Sequence, residues 1–369
     1  MTARHILIPI HDFSAGGTEI IAFRLAEAWL ARGRRVTILA GARDGPMAAR
    51  VPAGAAVEML APPIPRSPVS RLRLGAPMAE AARRLAPDVV FLPGNFHFIL
   101  ARALRAAMPG IPVVAKISNP LIPAHAAAPV RALAAFVLRR LTFGISHLCA
   151  MSDGLAGDCR ALLGAIPVST IHDPFLDDDA PIIARPGSSA DGPLRLVGIG
   201  RLEPQKDWPL AMAAVKALSA RRPCSLVIHG EGALRPRLEA EIARLGLAGR
   251  VTLPGFCADV NAALDAADLL LVSSAYEGGP AVAVEALARG VPFAATDCSH
   301  FLRDLVVTPG VGTLAKAAGP QALAEAVAAQ AARPFPDAAA IESAVARSRL
   351  TPAVEAWLAV FDRLAGAGD

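Results

Sequence analysis

The chain has 369 residues, of which 54% are hydrophobic, 19% charged and 5% aromatic. That length exceeds what one hydrophobic core usually serves, so two domains are expected, and the balance excludes an intrinsically disordered chain. The net charge of +5 is unevenly placed: residues 1–175 carry 19 Lys and Arg against 10 Asp and Glu, and the remainder carries 18 against 22. A basic first half points to an anionic partner, an acidic membrane surface or a phosphorylated acceptor.

The five cysteines, Cys149, Cys159, Cys224, Cys257 and Cys298, are scattered and form no C-x-x-C pair or Cys/His cluster. Zinc is therefore not expected, and reduced, buried thiols are. The first apolar run, residues 6–10, is too short for a signal peptide and is followed at once by His11-Asp12. No stretch approaches the roughly 18 apolar residues of a membrane span. A soluble, cytoplasmic protein is expected, with an option of peripheral contact at the inner face of the membrane.

Short apolar runs alternate with longer amphipathic segments, the pattern of β-α-β units around parallel sheets. In the first half, strands are predicted at 6–10, 36–40, 57–60, 89–92, 113–117, 145–150 and 168–171, with helices at 19–31 and 74–85 among those between them. Residues 174–193, rich in Pro, Gly and Ser and carrying Asp177-Asp178-Asp179, read as a linker. A second series follows, with strands at 194–200, 225–229, 251–253, 269–273 and 292–295 and helices at 209–219 and 234–245. After Gly319 the pattern is nearly all helical and ends with 352–364. The domain reading is thus 1–175, a linker at 176–193, 194–350, and a terminal helix at 351–369 with the option of packing back on the first domain. Open α/β sheets bind ligands at the carboxyl ends of their strands, so the loops that follow strands carry the interest.

Three such loops stand out. Ser14-Ala15-Gly16-Gly17-Thr18-Glu19 precedes the first helix, and paired glycines let backbone approach a ligand at a helix N-terminus; a plain strand-to-helix turn is the bland alternative. Gly198-Ile199-Gly200-Arg201-Leu202-Glu203-Pro204-Gln205-Lys206-Asp207 brings a planar donor fork, Arg201, and a point charge, Lys206, just before a helix that Asp207 can cap. Together these cations can clamp a diphosphate. Glu203 stands where a dinucleotide fingerprint needs its third glycine. Glu277-Gly278-Gly279-Pro280-Ala281-Val282-Ala283-Val284-Glu285 places Pro280 at a helix start and two carboxylates eight positions apart, one for a sugar and one for a ribose.

The runs GIGRLEPQKDW, LVIHGEGALRPRLEAEIARLGLAGRVTLPGF and ADLLLVSSAYEGGPAVAVEALARGVPFAAT resemble the donor-binding domain of retaining glycosyltransferases of family 4. The match is close over residues 194–296 and looser in the first half, through GGTE and the strand rhythm. The resemblance implies a GT-B fold, two doubly wound Rossmann-like domains facing each other across a cleft, the first binding acceptor and the second a nucleotide-sugar donor. It implies that Gly16 and Gly17 face the donor phosphates and that Arg201 and Lys206 neutralise the leaving diphosphate. Glu277 then contacts the transferred sugar, Glu285 holds the ribose hydroxyls, and Gly230, Phe256 and Cys257 lie near the base, with Gly278, Gly279, Pro280 and Ala281 completing the donor site. Where relatives place a histidine after the strand at 113–117, this chain has Ser118; His97 and His11 are the alternatives that can fill that space. His172-Asp173-Pro174 matches a family turn and is read as a turn only.

The implied reaction moves a sugar from a UDP-, GDP- or ADP-sugar to a glycan or lipid-linked acceptor, with retention of configuration. No cofactor is expected. Asp177–Asp179 sits in a linker rather than at a strand end, so a solvated charge run is preferred to a metal site, and cations with helix N-termini replace a metal ion at the leaving group. The competing readings are a nucleotide-sugar epimerase of the same architecture, a non-catalytic nucleotide-sugar binding protein and, last, a nicotinamide-dependent oxidoreductase. Nucleic acid is not an expected partner. For the membrane option, Arg66, Arg71, Arg73, Arg131, Arg139 and Arg140 supply positive charge. Residues 130–143 read first as a core-facing helix and second as a membrane-surface one.

Overall fold

The structure, a computed structural model, describes residues 2–14, 16–122, 127–185 and 192–367. Ala15 of the first glycine loop and residues 186–191 of the expected linker lie outside the described residues. The chain divides into two compact units, Met1–Pro174 with Arg349–Asp369, and Phe175–Ser348.

Unit 1 runs β1 (His5–Ile10), α1 (Gly17–Ala31), β2 (Arg35–Ala40), β3 (Ala56–Met59), α2 (Ser70–Leu85), β4 (Val89–Leu92), α3 (Ala101–Ala107), β5 (Val113–Ile117), α4 (Ala128–Leu141), β6 (His147–Ala150), α5 (Asp153–Leu163) and β7 (Val168–Thr170). A 3-10 turn, Asn95–Leu100, leads into α3. The seven strands form one sheet in the order β3-β2-β1-β4-β5-β6-β7, with parallel pairing throughout. Every residue of β1, β4, β5 and β6 is buried, as parallel strands covered on both faces must be. This is why they appear in the sequence as unbroken apolar runs rather than as alternation.

Unit 2 runs β8 (Leu194–Ile199), α6 (Trp208–Ser219), β9 (Cys224–His229), α7 (Arg235–Leu245), β10 (Val251–Gly255), α8 (Val260–Asp265), β11 (Leu269–Val272), α9 (Ala281–Ala288), β12 (Phe293–Ala295), α10 (His300–Leu305), β13 (Gly312–Leu314), α11 (Pro320–Ala331) and α12 (Ala338–Val345). Its parallel sheet has the order β10-β9-β8-β11-β12-β13. Strand β13 carries no legible pattern because it has only three residues. Gly312 is needed there because a Cβ would stand 2.5 Å from the Phe293 ring. The unit closes on itself where Phe175 and Leu176 N–H both donate to the Ser348 carbonyl. Residues 175–185 also pack on it: Ile183 N–H donates to Ala288 O, and Arg185 pairs with Asp265.

In both sheets the strand order reverses beside the first strand, between β1 and β4 and again between β8 and β11. Connections on either side of such a point run to opposite faces, and the loops after those two strands open a crevice. The loops singled out in the sequence are the ones at these points.

The last helix, α13 (Leu350–Gly366), lies in unit 1. Trp357 packs edge-on against Phe91 of β4 at 4.8 Å and Phe361 edge-on against Trp29 of α1 at 5.2 Å, with Phe361 tilted against Phe91 at 6.1 Å, in the range where aromatic pairs gain beyond simple burial. Asp362 accepts from Ala3 N–H and pairs with Arg34, tying both ends of the chain to the same edge.

One helix departs from expectation. None of the 14 residues of α4 is buried, which corrects the core-facing reading of residues 130–143. Apolar residues at helical spacing disclose an amphipathic helix, but whether another element covers that face is decided elsewhere in the fold. No helix among the described residues is long and apolar enough to cross a membrane.

Phe361→Ala should remove a fully buried ring from this aromatic cluster and destabilise unit 1 by about 3–5 kcal/mol. Urea unfolding followed by the emission of Trp29 and Trp357 measures it, and a change below about 1 kcal/mol contradicts the packing described.

Candidate active site

In unit 2 the loop after β8 is shaped by contacts that admit no side chain. A Cβ on Gly198 would lie 2.6 Å from the Trp208 ring, and one on Gly200 would lie 2.8 Å from Lys206 Cε. Gly230 has φ +148° and faces the Gly200 carbonyl, 1.9 Å from where its Cβ would be, so the loops after β8 and β9 touch backbone to backbone. Asp207 caps α6, accepting from Leu210 N–H in a left-handed conformation.

The loop after β11 meets this one. Lys206 Nζ lies 2.7 Å from Glu277 Oε1, with side chains only 18% and 10% exposed. Ser274 Oγ donates to the same oxygen at 2.7 Å, and Gln205 Nε2 donates to Oε2 at 3.3 Å. Two backbone links clamp the loops together, Ser273 Oγ to Lys206 O and Ala275 N–H to Gln205 O. Glu277 N–H donates to Cys298 O, and Ser299 Oγ donates to Gly278 O. The carboxylate is thus fixed by three side chains, while the ammonium, having three protons, keeps two for a ligand.

The other predicted residues are distributed around this pair. Arg201 pairs with Glu203 at 2.7 Å and is mostly exposed, so its partner is not Glu277. Gly278, Gly279 and Pro280 lead into α9, which starts at Ala281 with no side-chain cap, leaving its first N–H groups directed at whatever enters the turn. Glu285 is half-buried on α9, and its charge is felt at Cys257, whose thiol is pushed up chiefly by burial. Phe256 and Cys257 line a cavity of about 570 Å³ with His229, Val227, Pro254 and Asp259. Its size lies within the range of small-molecule sites. Lys206, Glu277 and Gly230 are not among its lining residues.

In unit 1, Gly16 precedes α1 in extended conformation with no side-chain cap. Gly17 has open space where a Cβ would stand, whereas a Cβ on Gly94 would meet Thr18 and Ser118. Ser118 and Asn119 are bound by Asn95: Ser118 N–H donates to Asn95 Oδ1, and Asn95 Nδ2 donates to Asn119 O. A small cavity is lined by His11, Glu19, Arg66, Arg71, Phe96 and His97, among others. His97 Nδ1 and His11 Nε2 are buried there without a hydrogen-bond partner. Burial pushes His97 down to about 4 and lowers His11, and it raises Glu19. Both imidazoles are therefore neutral at pH 7.

Sequence reasoning missed two ion pairs at the same edge. Arg66 grips Asp12 through Nε and Nη2 at 2.7 and 2.8 Å; burial opposes the charge, yet bonds from Arg66 and Ser14 hold Asp12 at about 2. Lys116 of β5 meets Asp173 at 2.6 Å, both nearly inaccessible. His172-Asp173-Pro174 is thus more than a turn, because Asp173 neutralises a lysine buried in the sheet. No spacing rule links positions 57 or 54 residues apart, so neither pair is legible beforehand. Ser274 and Gln205 are missed for a different reason: hydroxyl and amide residues are common in loops and acquire a role only from the carboxylate they face.

Residues 180–343 match the family model for glycosyl transferases group 1, and residues 16–172 match that for a glycosyl transferase 4-like domain. These matches support a GT-B glycosyltransferase family. The chain is 28% identical over 279 residues to 2-deoxystreptamine glucosyltransferase of Streptomyces kanamyceticus, covering 63% of this chain and 69% of that protein. Among solved structures it resembles HepE of Anabaena in complex with UDP and glucose, with TM-score 0.72 and 19% identity over 98% of this chain and 100% of that one. Sucrose-phosphate synthase of Thermosynechococcus elongatus gives TM-score 0.78 at 18% identity, covering 99% and 100% of the two chains. The GT-B fold read from the sequence is the fold of the chain. Within this glycosyltransferase fold, the paired loops of unit 2 hold a polar cluster, Lys206, Glu277, Ser274 and Gln205, at a strand-order reversal.

Two measurements check the site. Lys206→Ala strands a buried carboxylate and should cost unit 2 about 3–5 kcal/mol. The double variant Lys206→Met with Glu277→Gln should recover much of that loss in urea unfolding, and equal losses in both would contradict a coupled pair. His97 gives a pH signature. Its folded value of about 4 lies below the ordinary imidazole value of 6.5, so between these the unfolded chain binds the extra proton and stability rises with pH. Up to about 3 kcal/mol should be present above pH 6.5 and lost as pH falls towards 4, and His97→Gln should flatten that part of the profile.

Proposed function

We propose that the chain transfers a sugar from a nucleoside diphosphate donor to a glycan or lipid-linked acceptor, with retention of configuration and without a metal ion. The observation that carries this reading is the Lys206–Glu277 pair at 2.7 Å, held by Ser274 and Gln205. Three similar structures support the donor class: HepE of Anabaena in complex with UDP, with UDP and glucose, and with UDP-glucose.

In this scheme the pyrophosphate lies against the Gly278-Gly279-Pro280 turn and the uncapped start of α9. Lys206 gives its two remaining protons to phosphate oxygens, and Arg201 exchanges Glu203 for the same anion. As the anomeric bond breaks, negative charge grows on the leaving oxygen, where fixed donors do most good because they need not reorganise. Glu277, charge-balanced by Lys206, orients sugar hydroxyls. Glu285 takes the ribose, and Gly230, Phe256 and Cys257 lie by the base. In unit 1, the Gly16–Gly17 start of α1 offers a further anion-binding end, and the cavity with His97 and His11 is assigned to the acceptor side. The departing phosphate takes the acceptor proton. We also place the protein in the cytoplasm, peripheral to a membrane that carries anionic lipid.

Lys206→Ala and the folded Lys206→Met/Glu277→Gln variant should both lower turnover by about 100–1000-fold. The assay is transfer from UDP-, GDP- or ADP-glucose, preceded by a thermal-shift screen, since a bound donor raises apparent stability. Undiminished transfer in the double variant would remove the phosphate-clamp assignment. Tight donor binding without transfer or hydrolysis would instead identify a binding protein, and product without acceptor an epimerase.

A further inference from the structure

Helix α4 carries an apolar stripe that the fold leaves uncovered. Val130, Leu133, Val137 and Leu141 recur at spacings of three, four and four residues, one face of a helix. With Phe136 and the following Phe143 they are 37–66% exposed. Folded proteins do not ordinarily leave six large apolar side chains together in water. The helix is anchored from its other side: its main packing partner is α5, and Arg139 Nε donates to the Leu162 carbonyl.

The charges on α4 decide what covers it. Arg131 and Arg140 border the stripe, Arg139 lies on the side that faces α5, and the helix has no acidic residue. Arg140 lies 4.4 Å above the Phe136 ring, so a cation accompanies the apolar surface rather than avoiding it. A second copy of the chain seated on the same face would oppose two cations to two. An anionic bilayer satisfies both halves of the pattern, with apolar side chains at the acyl boundary and guanidinium groups among the headgroups.

We infer that α4 is the membrane-docking element of this protein, lying in the plane of an anionic lipid surface through Val130, Leu133, Phe136, Val137, Leu141 and Phe143, with Arg131 and Arg140 on the headgroups. The inference rests on the membrane contact proposed above and names the surface that makes it. None of these residues belongs to the site of unit 2.

The test is flotation of the full chain with phosphatidylcholine vesicles, with and without phosphatidylglycerol. Binding should require phosphatidylglycerol and weaken with added salt. Arg131→Gln and Arg140→Gln should each lower partitioning about fivefold, the factor that corresponds to ~1 kcal/mol per basic residue, and Leu133→Ser with Phe136→Ser should abolish it. Because these side chains are exposed, the variants should keep the parent's melting temperature and donor-induced shift. Absence of vesicle binding, equal binding to both vesicle types, or a dimer in solution dispersed by the Leu133/Phe136 variant would overturn the inference. A failure of sugar transfer with vesicle binding intact would count against the catalytic reading and leave this one standing.

Discussion

The site depends on one topological constraint, the reversal of strand order beside the first strand of a parallel sheet. In unit 2 it brings the end of β8 next to the end of β11. Residues 71 positions apart then share a 2.7 Å contact between an ammonium and a carboxylate. Neither charge would be tolerated in that position alone, since burying an unpaired ion costs several kcal/mol. The pair holds two loops together and keeps two cationic protons available. Stability and the proposed chemistry meet at Lys206: the residue proposed to supply positive field to a ligand also balances the buried charge of Glu277.

The two units apply this constraint with different chemistry. Unit 2 presents a charged pair beside an uncapped helix, an arrangement suited to an anion with a polar ring attached, and a separate cavity lined by Phe256 and Cys257. Unit 1 presents neutral imidazoles in a small cavity whose rim carries Arg66 and Arg71. Arg66 is engaged by Asp12, whereas Arg71 lies 4.4 Å over the Phe96 ring. A neutral imidazole with an unshared ring nitrogen can donate or accept according to its tautomer, which suits hydroxyl groups better than phosphates. The basic residues of the first half thus include arginines tied into ion pairs, two stacked on rings, Arg71 and Arg140, and others of α4 on the surface. Net charge by itself did not separate these roles.

Much of the fold was legible because parallel sheets write a plain code. Strands buried on both faces are short apolar runs, and the runs at β1, β4, β5 and β11 stand out without ambiguity. The helix starts at Asp207 and Pro280 could be read from capping and proline chemistry. The three glycine-bearing loops were legible for the same reason, as were Lys206 and Glu277 as residues of interest. Strand β13 was not, since three residues cannot display a period. Nor was the fate of α4, whose stripe looks the same whether or not a neighbour covers it.

By itself the sequence determined the α/β class, the run of strands and helices, the glycosyltransferase resemblance, and which loops bear charge. These follow from local periodicity and local backbone chemistry, which neighbouring residues decide among themselves. Only the tertiary structure decided that Lys206 pairs with Glu277 while Arg201 turns to Glu203. It alone decided that Asp173 neutralises Lys116, that His11 and His97 are buried with unshared nitrogens, and that α4 stays bare. Each of these depends on distance through space between residues far apart in the chain, and therefore on strand order and packing rather than on any pattern along the polypeptide.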